Sequence, residues 1–409
     1  MTTLDRHILT ASIRGTSFVL KPTKATITLD ESWSPYAQAE LVCVLPDPAG
    51  QAVLDLREKT VRIELQARQT FGKSWALSNL TTDYGGSLAA LTIAHGGKTL
   101  ASFYKKYSRP WNSFGRRLAT SRRLSLVATR RVFDHTTNEL RISAASGEVL
   151  LQRHTLIDAT PLDPATTSVR DIAELLLGRI GETLTAGTDD ATVEYDSTLW
   201  QPGVKAWDYI APLLQASNLK LWCDERGFWF LTVVQPLADG TLILTPDDTI
   251  TELTDTMETS GDEWFDAVVV IYTWTDALGE NQTAYDIAGD EDSQNARTFE
   301  YDGIPYPGAG AAAGILNRAK GRGRVIQTRA ISNYTVQPGQ SASIRPPDTD
   351  AQTGYVASVR FNFPENQMDI ESRGLVDTPE TAYLFGSAEI TYVQVDPAVT
   401  YENFEWSTL

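Results

Sequence analysis

The chain is poor in the residues that most catalytic chemistry needs. It has only two cysteines, Cys43 and Cys223, each within an apolar, strand-like run, so buried free thiols are expected rather than a disulfide or a metal pair. Four histidines, at 7, 95, 135 and 154, show no metal-binding spacing and read as surface or packed residues. No stretch approaches the roughly 18 to 20 apolar residues that cross a bilayer, and residues 1 to 20 lack a signal-peptide layout. A soluble chain made in the cytoplasm, with no membrane anchor, is the expectation. A nucleophile elbow is missing: Gly339-Gln340-Ser341-Ala342-Ser343 fails at its last position and lies at a turn. There is no phosphate-binding glycine loop, and paired carboxylates are too common in so acidic a chain to mark a glycosidase. These absences predict no enzyme, no catalytic residue, no metal and no cofactor.

Charge is also missing by region. The net charge is −17, yet residues 84 to 133 carry ten basic side chains and no acidic one, and residues 247 to 302 carry 16 acidic and one basic, Arg297. An acidic body repels phosphates and so disfavours tight nucleic-acid binding, while still suiting a surface past which DNA slides. In the basic stretch, Phe103, Tyr104, Tyr107, Trp111 and Phe114 interleave with Lys105, Lys106 and Arg109. Cations among aromatics are what single-stranded nucleic acid needs. Against the acidic total, docking onto an acidic protein surface is the preferred reading, a second copy of this chain included. Lys105, Lys106, Arg109, Trp111, Arg116 and Arg117 are the candidate interface residues there.

What is abundant is β patterning. A length of 409 residues with 42% hydrophobic content predicts two to three domains. Strands are expected at 8–19, 25–29, 37–45 and 61–68; in the last, Val61, Ile63, Leu65 and Ala67 alternate with Arg62, Glu64, Gln66 and Arg68. Further strands at 122–133 and 139–142 complete a first β unit, 1–160, with 84–133 as a basic insertion. Ser168 opens a capping-box-like helix start that Gly181 ends. Trp207, Ile210 and Leu214 then mark an amphipathic helix, with Pro212 predicting a kink or early start, and Asn218 suiting its left-handed close. Leu219 to Cys223 and Phe228 to Val234 form a hairpin about Asp224-Glu225-Arg226-Gly227. Its tryptophans read as core, with Trp207, Trp222 and Gly227 as structural residues. This gives a small α+β unit at 163–246.

The remainder, 247–380, reads as a second β unit. Strands are expected at 267–274, 324–334, 341–345, 355–363 and 368–375, with Pro338 and Gly339 as the central residues of a type II turn. Asp286 to Asp292 reads as a solvated acidic loop, since calcium-loop spacing is missing. The glycine run at 308–314 is one residue too long for a dinucleotide fingerprint and has no surrounding βαβ unit; small residues at a tightly packed helix start explain it equally. The extension 381–409 holds Tyr401, Phe404 and Trp406, expected to lie on a neighbouring subunit or tip protein.

Several phrases carry a resemblance: Ala206-Trp207-Asp208-Tyr209, Leu221-Trp222-Cys223-Asp224, Tyr272-Thr273-Trp274-Thr275-Asp276, the run Ala311 to Arg324, Gln337-Pro338-Gly339-Gln340 and Gly374-Leu375-Val376-Asp377, with a weaker echo at Tyr84 to Leu91. In these the chain resembles the minor tail proteins, or baseplate hub proteins, of long-tailed siphovirus-type phages of actinobacteria. The resemblance implies a β-rich α+β fold, with two tail-tube-type β-barrel domains separated by a small mixed α/β domain. It also implies a homotrimeric ring at the virion tail tip, between the distal tail protein and the tip fibre or spike. Such a ring meets the C-terminus of the tape-measure protein and surrounds a lumen that DNA crosses without specific binding during ejection. The chain ends at Leu409, so wall cutting and receptor binding are expected to belong to other proteins. The alternative is a carbohydrate-binding tail-tip adhesin, for which exposed Trp and Tyr on one sheet face would discriminate.

Overall fold

The computed structural model describes residues 3–57, 60–72, 116–234, 238–244, 250–257, 264–276, 279–293, 295–320, 323–346 and 352–374. Lys105, Lys106, Arg109, Trp111 and the whole extension with Tyr401, Phe404 and Trp406 lie outside them. Arg116 and Arg117 are placed as strand residues only.

The N-terminal strands are β1 (Thr3–Ile13), β2 (Val19–Leu20), β3 (Pro22–Asp30), β4 (Ala37–Val44), β5 (Arg62–Gly72), β6 (Arg116–Asp134) and β7 (Glu139–Ala145), with a short helix α1 (Pro48–Val53) after β4. A mixed stretch follows: α2 (Glu148–Arg153), α3 (Val169–Arg179), α4 (Ala206–Ala216), then β8 (Leu219–Cys223) and β9 (Trp229–Val233). The rest holds β10 (Ala238–Leu244), β11 (Ile250–Met257), β12 (Ala267–Thr275), β13 (Asn281–Gly289), β14 (Ala296–Asp302), α5 (Ala311–Lys320), β15 (Arg324–Ile331), β16 (Gln340–Ile344), β17 (Gln352–Phe363) and β18 (Gln367–Gly374).

The fold is α+β and β-rich. Strands from both β-rich stretches belong to one 13-stranded sheet, in the order β11-β15-β18-β17-β3-β4-β7-β6-β5-β1-β2, with β16 and β10 branching from β17. The alternation in β5 does what period two requires: Ile63, Leu65 and Ala67 are buried and Arg62, Glu64 and Gln66 are not. Only Lys21 separates β2 from β3, so this bent segment pairs with β1 at its start and with β4 along the rest, curling the sheet back on itself.

The seam between the two β stretches is β17. Its first residues pair with β16, and after the register shift at Val356/Ser358 the same edge pairs with β3, Ser358 opposite Asp30 through Phe363 opposite Ala25. One apolar core runs under both stretches, from Leu29, Leu41, Ile63 and Leu126 to Ile326, Val359 and Phe361. Full burial of each such side chain contributes roughly 1.5–3 kcal/mol.

Two smaller cores flank it. In the first, Trp200 and Trp229 are fully buried among Leu176, Ile210, Leu213 and Leu231. Ser168 caps α3 by accepting from the Asp171 amide at 3.1 Å, and Gly181 (φ +77°) follows its end. α4 runs through Pro212 without interruption, and Asn218 closes it at φ +51°. Pro212 gives up one backbone donor, and the buried face of Tyr209, Ile210, Leu213 and Leu214 holds the helix through it.

The second small core packs one face of the sheet β13-β12-β14 on α5 through Val268, Val270, Tyr272, Ile315 and Leu316. Here the acidic-loop expectation holds for Asp290 to Asp292, exposed in the turn after β13, and is corrected for Asp286. Asp286 belongs to β13 and is buried, with its carboxylate accepting from the Gly310 amide at 3.0 Å and the Ala312 amide at 2.9 Å. A buried carboxylate on the positive end of a helix is well placed, which charge counting alone does not reveal. The glycine run is a packing device: a Cβ on Gly310 would lie 2.2 Å from the Ala216 carbonyl oxygen.

Candidate functional site

A cleft of about 1400 Å³ opens where α4, the β8–β9 hairpin, the loop after β3, the start of β6 and residues 334–339 converge. Of the residues singled out in the sequence, Trp207, Trp222, Pro338 and Gly339 all line it. Gly227 does not, but its φ of +94° lets the hairpin turn close, with the Gly227 amide donating to the Asp224 carbonyl at 3.0 Å. The Asp224 carboxylate fixes the same turn by accepting from the amides of Arg226 and Phe228. Pro338 and Gly339 occupy the centre of a turn in which the Gln340 amide donates to the Gln337 carbonyl; Gly339 has φ +88° and its amide donates to Val356 on β17.

Alternation along β8 decides which tryptophan faces where. Leu219, Leu221 and Cys223 point into the small core, so Lys220 and Trp222 point into the cleft. Trp222 stacks on Phe230 at 5.2 Å and tilts against Tyr36 at 5.0 Å between ring centroids. The expectation of core tryptophans thus holds for Trp200 and Trp229, whereas Trp207 and Trp222 are half-buried cleft walls.

Two basic side chains lock the surrounding stretches together. Lys220 donates to the Glu31 carbonyl and lies 5.6 Å from the Tyr36 ring and 5.9 Å from the Trp222 ring. Burial pushes its ammonium below the ordinary lysine range. Arg122 on β6 donates to the Tyr334 carbonyl at 3.0 Å, the Val336 carbonyl at 2.8 Å and the Glu225 carboxylate at 2.7 Å. One guanidinium therefore ties the first β stretch, the hairpin turn and the last β stretch. Sequence reading passed over Arg122 because it is one of ten cations in a run with no acidic residue. Its position on the inward side of the β6 alternation was the available signal, since Leu124 and Leu126 share that parity and are buried.

Behind the cleft wall, Glu148 is buried and accepts from the amides of Tyr36 at 3.2 Å and Cys223 at 3.0 Å. Loss of hydration pushes its carboxyl above the ordinary glutamate range, and these donors offset only part of that shift. Cys43 and Cys223 are both free and buried, and burial pushes the Cys43 thiol up to about 12. No group of three or more metal-ligating side chains occurs among the described residues. The cleft therefore offers aromatic faces and anchored polar groups. Among the described residues, no helix is long and apolar enough to cross a membrane.

No family model and no curated protein matches the sequence. In three dimensions the chain is similar to a 43 kDa tail protein of prophage MuSo2 from Shewanella oneidensis, with 13% identity, 90% of this chain and 98% of that one covered, and a TM-score of 0.51. It is also similar to a tail protein from Neisseria meningitidis MC58, with 12% identity, 90% and 96% covered, and a TM-score of 0.53. The chain thus shares its fold with these two tail proteins. The likeness extends over nearly the whole length of each, so it belongs to the complete arrangement of β stretches and mixed units.

Proposed function

We propose that the chain is a non-enzymatic structural protein of a phage tail, acting as a baseplate hub at the tail tip. The observation that carries this reading is the full-length fold likeness to tail proteins. In this proposal the two β stretches are tube-type domains, and three copies form a ring of six similar units on the end of a six-fold tube. The ring joins the tail tube and distal tail protein to the tip fibre or spike, receives the end of the tape-measure protein, and encloses the channel for DNA exit. The division of the chain into 1–160, 163–246, 247–380 and 381–409 belongs to the same proposal. So do the siphovirus setting and synthesis in the host cytoplasm. The regional charge supports the channel: an acidic wall repels the DNA backbone and does not retain it.

Gold-labelled antibody against this chain, imaged on intact and fibre-stripped particles, tests the reading. Label at the distal tail end that stays when fibres are lost is expected. Label that departs with the fibres would support the adhesin instead, and unlabelled particles would remove the tail reading.

One observation favours a carbohydrate-binding tail-tip adhesin. Trp33, Trp207 and Trp222 line one cleft, with Trp33 exposed, and sugars stack on such aromatic faces. Binding of host wall glycans by the purified chain, lost in Trp222→Ala, would establish it.

A further inference from the structure

The three-stranded sheet β13-β12-β14 has two faces, and α5 covers only one of them. On the other, Ile287 lies beside Val269 and Tyr285 beside Ile271. Tyr285 is 60% and Ile287 68% exposed, so this is an apolar stripe at the surface. Among the described residues of its own strands and turns, the charges on this side carry one sign. Glu300 sits beside Ile271 on the far flank, and Asp302 beside Thr273; the turns at either end of β13 add exposed Glu280 and Asp290 to Asp292. Arg297, the single cation of this region, lies over the rings of Phe265 and Phe299 on the covered side. An occupant of the open face must bring apolar surface and positive charge together.

The chain itself contains that combination once, in the stretch around Lys105, Lys106 and Arg109 with its interleaved aromatics. The strands that lead into and out of the basic stretch, β5 and β6, end near the β17–β18 turn, where Gln69 donates to Asn366 at 3.0 Å. The β12–β14 unit is inserted between β11 and β15 at the opposite end of β18, where Met257 pairs with Arg324 and Arg324 with Gly374. The eight residues of β18 separate these ends by roughly 26 Å at strand rise. Within one chain the ends of β5 and β6 and the attachment of the β12–β14 unit therefore lie at opposite ends of the same sheet.

We propose that the open face of β12–β14 is where a second copy of this chain docks its basic, aromatic stretch between residues 98 and 117. The contact is head-to-tail: each copy gives its acidic, apolar face to one neighbour and its basic stretch to another. Such an interface generates a ring when the rotation closes. It deepens the ring reading above by naming the surfaces. It needs only two copies to meet, so it can hold even if antibody fails to find the chain on a tail, and it can fail while the chain is at the tip.

The test uses the full chain with a photoreactive phenylalanine analogue in place of Tyr285, mixed from isotope-labelled and unlabelled copies and cross-linked. Cross-linked peptides joining 285 to 98–117 and pairing one labelled with one unlabelled copy are expected. Sedimentation is the second readout: Lys105→Glu/Lys106→Glu/Arg109→Glu should weaken self-association at least tenfold, and adding Glu300→Lys/Asp302→Lys should restore it. Cross-links found only within one copy, cross-links to another region, or a chain that stays monomeric in the unmodified form would each overturn the proposal. So would charge reversal without effect in a variant whose circular dichroism is unchanged.

Discussion

At the scale of single residues, the junction depends on side chains that face inward from otherwise charged stretches. Arg122 satisfies two carbonyls and a carboxylate drawn from separate parts of the chain. Removing it leaves Glu225 and both carbonyls facing a hole. Arg122→Met should lower folding stability by roughly 3 kcal/mol, read as a lower urea midpoint with the secondary structure retained; an unchanged midpoint would mean the clamp is not needed. Glu148 makes a pH prediction. Its folded carboxyl is held above the ordinary range, so the folded chain binds this proton more tightly than the unfolded chain does. The group therefore favours folding at low pH, and that contribution is lost as pH rises from the ordinary glutamate range through the raised folded value. Glu148→Gln keeps an acceptor for Tyr36 and Cys223 and removes the titration, so the fall of stability with pH on that limb should flatten. An identical slope in the variant would assign the effect elsewhere. Neither residue stands out in sequence, because burial turns an ordinary Arg or Glu into a special one only after distant segments meet.

At the scale of elements, local patterns were sound guides and their exceptions are instructive. The hairpin of β8 and β9, the Ser168 cap, Asn218 and the turn at Pro338-Gly339 were all legible, since each rests on neighbours a few residues apart. Two arrangements were not. β10 pairs in parallel with β16, from Ala238 opposite Gln340 to Leu244 opposite Ile344, and parallel partners leave no turn signal between them. Asp286 sits in a run of carboxylates, and only the arrival of α5 makes it a cap. Asp286→Ala should therefore cost about 1–2 kcal/mol and speed amide exchange across 311–320 while exchange in β5 stays slow. Exchange that speeds up everywhere, or nowhere, would contradict a local capping role. Gly310→Ala should disturb the same helix more, because its Cβ would meet the Ala216 carbonyl and its φ is +135°.

At the scale of the whole molecule, charge is spread unevenly along the chain. If the basic stretch docks on acidic protein, assembly should weaken as salt rises from low to physiological strength and beyond, because exposed pairs are screened over about 8–10 Å. Sedimentation across a salt series checks this, and salt-insensitive assembly would remove the idea. Deleting residues 383–409 should impair assembly if the aromatic extension lies on a neighbour, and unchanged particles would show that it does not. The β-rich α+β class was legible from strand spacing and turn chemistry. The continuity of one sheet through both β stretches was not, because the pairing of β3 with β17 links residues 25–30 to 358–363, a separation over which sequence patterns carry no register.

That same pairing governs how the protein is made. β3 is complete early in synthesis, but the strand that covers its outer edge is among the last described parts of the chain to leave the ribosome. Throughout the interval, a growing chain carries an unpaired strand edge next to an apolar core, the form most open to pairing with its neighbours. A chain cut short before residue 358 keeps that edge open for good, so truncated products should aggregate more readily than the whole chain.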